Sequence, residues 1–254
     1  MPLSDVVIRG KTNEPPKIAV YGQEGIGKTT LATSVKNAIV LQTEEGCNQI
    51  DCAKFPLAET LEEMMGYVLQ LVNEEHEFGA VVLDSATHTD RLIADYLCRQ
   101  QGVKTIEQVD GGYGKGGAAM AREWERILPV FDSLRRKKNM TVILIAHSQV
   151  ERFNDPDGPA YDRYSLRLNK NTSALITEWV DVIAYCGIRK RIATEDAGFN
   201  RKRSTAHAIG RDGEERILRC TGSPSCVAKN RYGITEDLPL SWQSFEEALT
   251  KGMQ

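Results

Sequence analysis

The strongest chemical pattern in the chain is Gly22-Gln23-Glu24-Gly25-Ile26-Gly27-Lys28-Thr29, a match to G-x-x-x-x-G-K-[ST], with Thr30 next. Glycines at this spacing let the backbone curl so that its N–H groups face a chain of phosphates. A helix starting at the motif adds positive potential there. Lys28 then reaches the β- and γ-phosphates and Thr29 ligates Mg²⁺. Residues 22–30 are therefore the expected nucleotide-binding segment, with ATP and Mg²⁺ as cofactors. The plain alternative is a mobile turn with an exposed lysine. The setting weighs against it, because an apolar run precedes the motif and helical composition follows it.

Asp84 closes Phe78-Gly-Ala-Val-Val-Leu-Asp84. An acid after an apolar run lies at the carboxyl edge of a sheet, where it faces the Mg²⁺ of a phosphate loop. Its structural alternative is to cap the following helix. Hydrolysis also needs a group that orients or deprotonates water. Glu44 and Glu45, in Gln42-Thr-Glu-Glu-Gly46, follow the second strand, and either carboxylate suits that task.

Alternating strand and helix signals must position these groups. Strands are expected at Lys17–Tyr21, Ile39–Gln42, Phe78–Asp84, Met140–Ala146 and Asp181–Tyr185, and more weakly near 205–210 and 215–220. Helices are expected over 29–39, 57–75, 86–101, 118–138, 172–179 and 242–251. Between them lie a Gly-rich loop at 102–117 and a polar stretch at 151–171. Continuous apolar runs indicate strands buried on both faces. The expected fold class is α/β, a mostly parallel central sheet with helices on both faces and a small C-terminal β extension. Residues 1–16 read as an arm, ending at Pro15-Pro16, and 17–254 as one domain.

Composition narrows the function classes. The 254 residues are 41% hydrophobic and 26% charged, as in a soluble globular protein. No apolar run approaches the roughly 18 residues that span a bilayer, and the N-terminus has no apolar signal core. No membrane partner and a cytoplasmic location are expected. The net charge of −3 excludes a uniformly basic nucleic-acid coat but not a local basic groove. The six cysteines form no C-x-x-C pair and read as reduced thiols, with Cys220 and Cys226 as packing residues. Arg135–Lys138 suits a helix C-terminus. Arg189–Arg191 and Arg201–Arg203 fit either a DNA groove or a solvated edge.

The order of phosphate loop, Thr43-Glu44, VVLDS, Gly-rich loop, helix and ILIAHSQ resembles the RecA-like ATPase core of recombinases and replicative helicases. Most specifically, KIAVYGQEGIGKTTLA, GYGKGG, VILIAHSQVERF, AYDRYSLRL and AKNRYGITEDLPL resemble phage nucleotide-binding proteins of the Sak type, RecA-like single-strand annealing ATPases. The resemblance spans about residues 17 to 242. It implies Glu44 as the catalytic carboxylate, although Glu45 stands where the family usually has Gly. It implies a γ-phosphate sensor among His147, Ser148 and Gln149, and two loops that face single-stranded DNA. The first would present Tyr113 and Lys115. The second would present Arg152, Arg163, Arg167 and Lys170, with Phe153, Tyr161 and Tyr164 interleaved. Basic and aromatic residues together suit base stacking and phosphate contact. Lys229 and Arg231 match a Lys-x-Arg pair that reaches a neighbouring subunit's γ-phosphate, alongside Lys28 in the catalytic set.

What the resemblance implies is a bacteriophage ATPase that acts in the host cytoplasm. It would self-associate into a ring or filament, bind single-stranded DNA, and promote annealing or strand exchange. A single-strand-binding protein is a candidate partner. The alternatives are a helicase or loader motor, a nucleotide-gated assembly switch without DNA, and a small-molecule kinase. The Gly-rich loop and Lys229-x-Arg231 argue against the kinase.

Overall fold

A computed structural model of the chain describes residues 2–7, 10, 14–196, 202–208 and 215–253. Ile8 of the arm, Arg201 of the second basic triplet, and residues 209–210 of one expected strand lie outside them. The arm contains a short helix, α1 (Leu3–Val6), and Val6 and Val7 are exposed. Then follow β1 (Lys17–Gly22), α2 (Lys28–Thr33), β2 (Ala38–Gln42), β3 (Ala53–Lys54), α3 (Leu61–Asn73), β4 (Ala80–Asp84) and α4 (Ala86–Gln101). A 3-10 segment, Ile106–Gly111, leads into α5 (Lys115–Lys138). The remainder is β5 (Thr141–Phe153), β6 (Tyr161–Leu166), α6 (Lys170–Trp179), β7 (Val182–Ile188), β8 (Lys190–Asp196), β9 (Lys202–Ala208), β10 (Arg216–Arg219), β11 (Lys229–Asn230), β12 (Leu238–Pro239) and α7 (Trp242–Met253).

The main sheet has the order β12-β10-β7-β1-β5-β4-β2-β3. Its centre, from β7 to β3, is parallel. The C-terminal strands β10, β11 and β12 pair antiparallel at one side. This is the expected α/β class with its β extension. Side chains alternate between two cores. Ala19, Tyr21, Val81, Leu83, Val142 and Leu144 face α3, α4 and α5. Ile18, Val20, Val82, Ile143 and Ile145 face α2 and α7. The central strands therefore lack polar positions because both faces are covered.

Three local expectations need correction. The helix after the phosphate loop ends at Thr33 rather than Ile39. Asn37 takes a positive φ, and Ala38 already belongs to β2. The helix expected over 57–75 begins at Leu61, where the Thr60 side chain accepts from the Glu63 N–H. The polar stretch from 151 is not an open loop. The chain of β5 runs on past Ala146 and pairs with β6 from Ser148–Leu166 to Phe153–Tyr161. Only the base of this ribbon, at Ser165 and Leu166, is buried; its outer part has no buried face and so lacks an apolar signature. Asp155-Pro-Asp-Gly158 makes its tip, where Asp155 accepts from the Asp157 N–H.

Candidate nucleotide site

The sheet register sets the site. Gly22 lies beside His147, Ile145 beside Asp84, and Asp84 beside Gln42. The ends of β1, β2 and β4 and the middle of β5 thus converge at one carboxyl edge, the usual ligand position of a parallel sheet. The phosphate loop leaves this edge with Gly25 and Gly27 at φ of 76° and 109°, a region that favours glycine. Lys28 is buried, and its Nζ donates to the Gly22 and Gln23 carbonyls at 3.1 and 2.9 Å. Burial lowers its pKa, while Cys186, Asp84 and Glu44 oppose that shift.

Thr29 Oγ1 donates to Asp84 Oδ2 at 2.8 Å. Asp84 is 4% exposed, and burial raises its pKa against the Thr29 hydrogen bond. Asp84 does not cap α4; the Ser85 hydroxyl does, accepting from the His88 N–H. A hydroxyl and a carboxylate in contact are hard oxygen donors that fit Mg²⁺, which takes its other ligands from phosphate and water. The Cys47 thiol also approaches Asp84 Oδ2, at 3.7 Å. Burial first, and then Asp84, push that thiol up to about 12, so it stays a neutral neighbour.

Glu44 and His147 meet across the same edge. His147 Nε2 lies 2.8 and 3.1 Å from the two Glu44 oxygens. His88 Nδ1 is 3.7 Å from Glu44 Oε2. Burial opposes ionisation of Glu44, but hydrogen bonds from His147 and Ser85 outweigh it and hold the carboxyl down at about 2. Thr43 and Ser85 brace the two strand ends: the Thr43 hydroxyl donates to the Ser85 carbonyl and accepts from the Ser85 N–H, both at 2.9 Å. Glu45 is exposed, so of the two acids Glu44 is the one held in place. Of the three sensor candidates, His147 touches Glu44. Ser148 opens the β5–β6 ribbon, and the Gln149 amide donates to the Leu166 carbonyl at 3.1 Å.

These groups line a cleft of about 550 Å³ that also contains Arg91 and Arg167. Arg167 Nη2 is 3.7 Å from Glu24 Oε1. The resemblance places Arg167 in the second DNA loop; its side chain instead lines the nucleotide cleft. Arg91 and Cys47 escaped the sequence reading. Arg91 carries no motif, and the spacing of Cys47 from Asp84 is set only by strand pairing.

The other expected residues are spread apart. Tyr113 is 96% exposed. It lies in a run of five residues with positive φ, Asp110 to Gly114, which explains the glycines around it. Lys115 is exposed at the first turn of α5 rather than in the loop. Lys170 is exposed at the start of α6. In the ribbon, Arg152 pairs with Asp162 at 3.4 Å. Arg163 pairs with Glu151 at 2.7 Å and lies over the Phe153 ring. Tyr164 is not a free stacking platform. Its ring stacks on Tyr185, and its carbonyl accepts from the Tyr21 hydroxyl.

Lys229 and Arg231 sit at the other end of the sheet. Lys229 pairs beside Ile183 near the start of β7, whereas Gly22 pairs beside Cys186. Three residues of strand separate these levels, about 10 Å. The two residues therefore do not join their own chain's site. Lys229 Nζ donates to the carbonyls of Thr177, Glu178 and Val180, closing the end of α6. Within its own chain that ammonium is committed to the helix end. Arg231 is exposed and donates to Asp181 at 3.1 Å.

Comparison with known proteins gives three findings. A family model described as an AAA domain matches residues 14–232. The SPbeta prophage-derived uncharacterized protein YorG of Bacillus subtilis (strain 168) is 24% identical over 188 residues, 72% of this chain and 54% of that protein. The chain thus spans about half the length of that curated relative. A crystal structure of the RadB recombinase aligns over 91% of this chain and 90% of its own, at 15% identity and a TM-score of 0.45. No helix among the described residues is long and apolar enough to cross a membrane.

Proposed function

The chain belongs to the AAA-domain family of P-loop NTPases, and on that premise we propose that it is a Mg²⁺-dependent ATPase of the Sak type that works on single-stranded DNA. The observation that carries the ATPase reading is the Glu44–His147 pair held opposite Lys28, Thr29 and Asp84 in one cleft. Lys28 binds the β- and γ-phosphates. Thr29 and Asp84 hold the cation, which when bound neutralises charge on the phosphates. Glu44, ionised and fixed by His147, orients the attacking water. His147 lies in β5 one residue before the ribbon pairing begins, so a change at the γ-phosphate side reaches the ribbon directly. Arg231 is the residue available to act on a neighbouring subunit.

Support for DNA as the partner comes from the first loop. Tyr113 is exposed in a glycine frame, and Lys115 places a cation at a helix N-terminus, where the backbone already attracts phosphate. A second reading, a nucleotide-gated assembly switch without DNA, is favoured by one observation: both ribbon arginines are already paired with acids.

The test is the steady-state ATPase rate with and without single-stranded DNA, with Lys28→Ala as control. The expected result is a Mg²⁺-dependent rate that rises with DNA and is lost in the variant. A Lys28-dependent rate indifferent to DNA would transfer the reading to the switch. Annealing of complementary strands, with no displacement of a paired strand, separates the annealer from a motor.

A further inference from the structure

Arg167 lines the nucleotide cleft without a partner suited to its guanidinium. Its Nη2 lies 3.7 Å from Glu24 Oε1, longer than a hydrogen bond, and the Glu24 side chain is 74% exposed. Its Nε is buried and has no hydrogen-bond partner among the described residues. His147 Nδ1 approaches the same Glu24 oxygen, at 3.5 Å, and is likewise buried and without a hydrogen bond. A carboxylate of the phosphate loop thus stands, loosely held, between two nitrogens with nothing else to bind. We propose that Arg167 binds the nucleotide's γ-phosphate within its own chain, and that Glu24 stands in for that phosphate when the cleft holds a diphosphate or nothing. The proposal rests on the ATPase reading above and names the residue that tells a nucleoside triphosphate from a diphosphate.

The backbone around Arg167 is fixed while its side chain is not. Leu166 and Leu168 are buried on either side of it. The Arg167 N–H donates to the His147 carbonyl and the Leu168 N–H to the Leu166 carbonyl, both at 2.9 Å. Asp90 holds the Asn169 N–H at 2.7 Å. The Arg167 side chain, 41% exposed, is left to turn. Its anchor on His147 sets the guanidinium on the Glu44 side of the phosphate loop, the side on which water attacks.

An exchange of partners favours the phosphate. An exposed ion pair beyond hydrogen-bond distance contributes little. A phosphate accepts two parallel hydrogen bonds from a guanidinium, so it satisfies the idle Nε together with a terminal nitrogen. Glu24 and His147 also border a smaller cavity of about 260 Å³ between the phosphate loop and the base of the ribbon, which gives the displaced carboxylate room. A diphosphate brings no oxygen to this place and leaves Glu24 where it is. Because Arg167 belongs to the same chain as Lys28, the discrimination needs no neighbouring subunit.

The experiment measures, by titration calorimetry with Mg²⁺, the affinities of ADP and of the non-hydrolysable β,γ-imido analogue of ATP. Arg167→Gln should weaken the analogue about tenfold and leave ADP unchanged, and Arg167→Lys should recover part of the loss. Glu24→Gln, a change at an exposed side chain, should tighten the analogue about threefold more than ADP. A merely structural role for Arg167 would weaken both ligands alike, and that result overturns the proposal, as does no change for either. Equal effects of Glu24→Gln on the two ligands overturn the exchange. If the unsubstituted protein binds neither nucleotide, the nucleotide-binding reading itself has failed and this proposal falls with it.

Discussion

His147 Nε2 lies 2.8 Å from Glu44 Oε1, joining the strand beside the phosphate loop to the loop after β2. The same histidine accepts structural control from below, since its backbone N–H donates to Thr87 Oγ1 at 3.0 Å. Its carbonyl accepts from the Arg167 N–H, the residue that leaves the ribbon. A single position thus touches the candidate catalytic acid, α4 and the ribbon. This is the geometry expected of a group that reports on bound nucleotide, because a ligand shifts only those elements with which it has differential contacts.

Glu44→Gln should cut ATP turnover by about 10²- to 10⁴-fold, the usual worth of a positioned acid–base group. ATP affinity should stay near that of the unsubstituted protein, because the phosphate contacts come from residues 22–30 and Arg167. Calorimetry together with the steady-state rate measures both. An equal fall in affinity and turnover would place Glu44 in binding rather than chemistry.

The same carboxylate predicts a pH effect on stability. Its pKa falls from the ordinary 4.5 to about 2 in the folded chain. A depressed carboxylate stabilises the fold fully above its unfolded value and loses that contribution as pH falls through the folded one. The melting-temperature advantage of the unsubstituted protein over Glu44→Gln should therefore be constant above about pH 5. It should narrow below pH 4.5 and vanish near pH 2. Thermal melts across that range check it, and an advantage that grew on acidification would exclude the mechanism.

Glu151 restrains Arg163, and removing that restraint tests the ribbon as a DNA contact. Glu151→Gln should tighten single-stranded DNA binding roughly threefold at low salt, within the span of an exposed ion pair. The gain should shrink as salt rises. Fluorescence anisotropy with a labelled oligonucleotide reads it. No change at low salt would remove the ribbon from the DNA surface and leave the Tyr113 loop.

Lys229 and Arg231 should separate cleanly. Lys229→Met removes three charge-assisted bonds to the end of α6 and should cost about 2 kcal/mol of stability. Arg231→Ala should cost under about 1 kcal/mol, because its side chain is largely exposed and Asp181 keeps the Lys17 N–H and Arg135. If Arg231 acts on a neighbouring subunit, its variant loses turnover at every protein concentration. Turnover is restored in part by mixing with Lys28→Ala, whose arginine is intact. Absence of that rescue would confine Arg231 to its pair with Asp181.

The chemistry of the phosphate half was legible in the sequence because it depends on local spacing. Gly22–Thr29 places its own groups, and Asp84 is announced by four apolar residues before it. Glu44 required only that a strand end there. The ribbon was not legible, because Ser148 to Phe153 alternates without a buried face and so reads as a polar loop. Arg167 illustrates the limit more sharply: it lies in a basic, aromatic-rich stretch, yet its side chain points to Glu24 because the ribbon returns over the phosphate loop. Lys229 looks like a free cation in the sequence and is tied to a helix end that lies 50 residues earlier. These three misses come from long-range pairing, which no local pattern encodes.

Asp90 carried no sequence signal either, yet it joins the two surface elements assigned to DNA. Its Oδ1 accepts from the Trp124 indole at 2.8 Å, and its Oδ2 accepts from the Asn169 N–H at 2.7 Å. Trp124 belongs to α5, whose first turn follows the Tyr113 loop. Asn169 follows the ribbon, caps α6 and packs against Gly117, where a Cβ would lie 2.9 Å from its Oδ1. Burial raises the Asp90 pKa, with both hydrogen bonds opposing that shift. Asp90→Ala leaves two buried donors without acceptors and should cost about 3 kcal/mol. More tellingly, amide hydrogen exchange should quicken together over 105–117 and 161–171, while the phosphate loop keeps its protection. Faster exchange confined to α4 would show that the two elements are independent. Quickening in both would establish the buried carboxylate as the link that makes them respond as one.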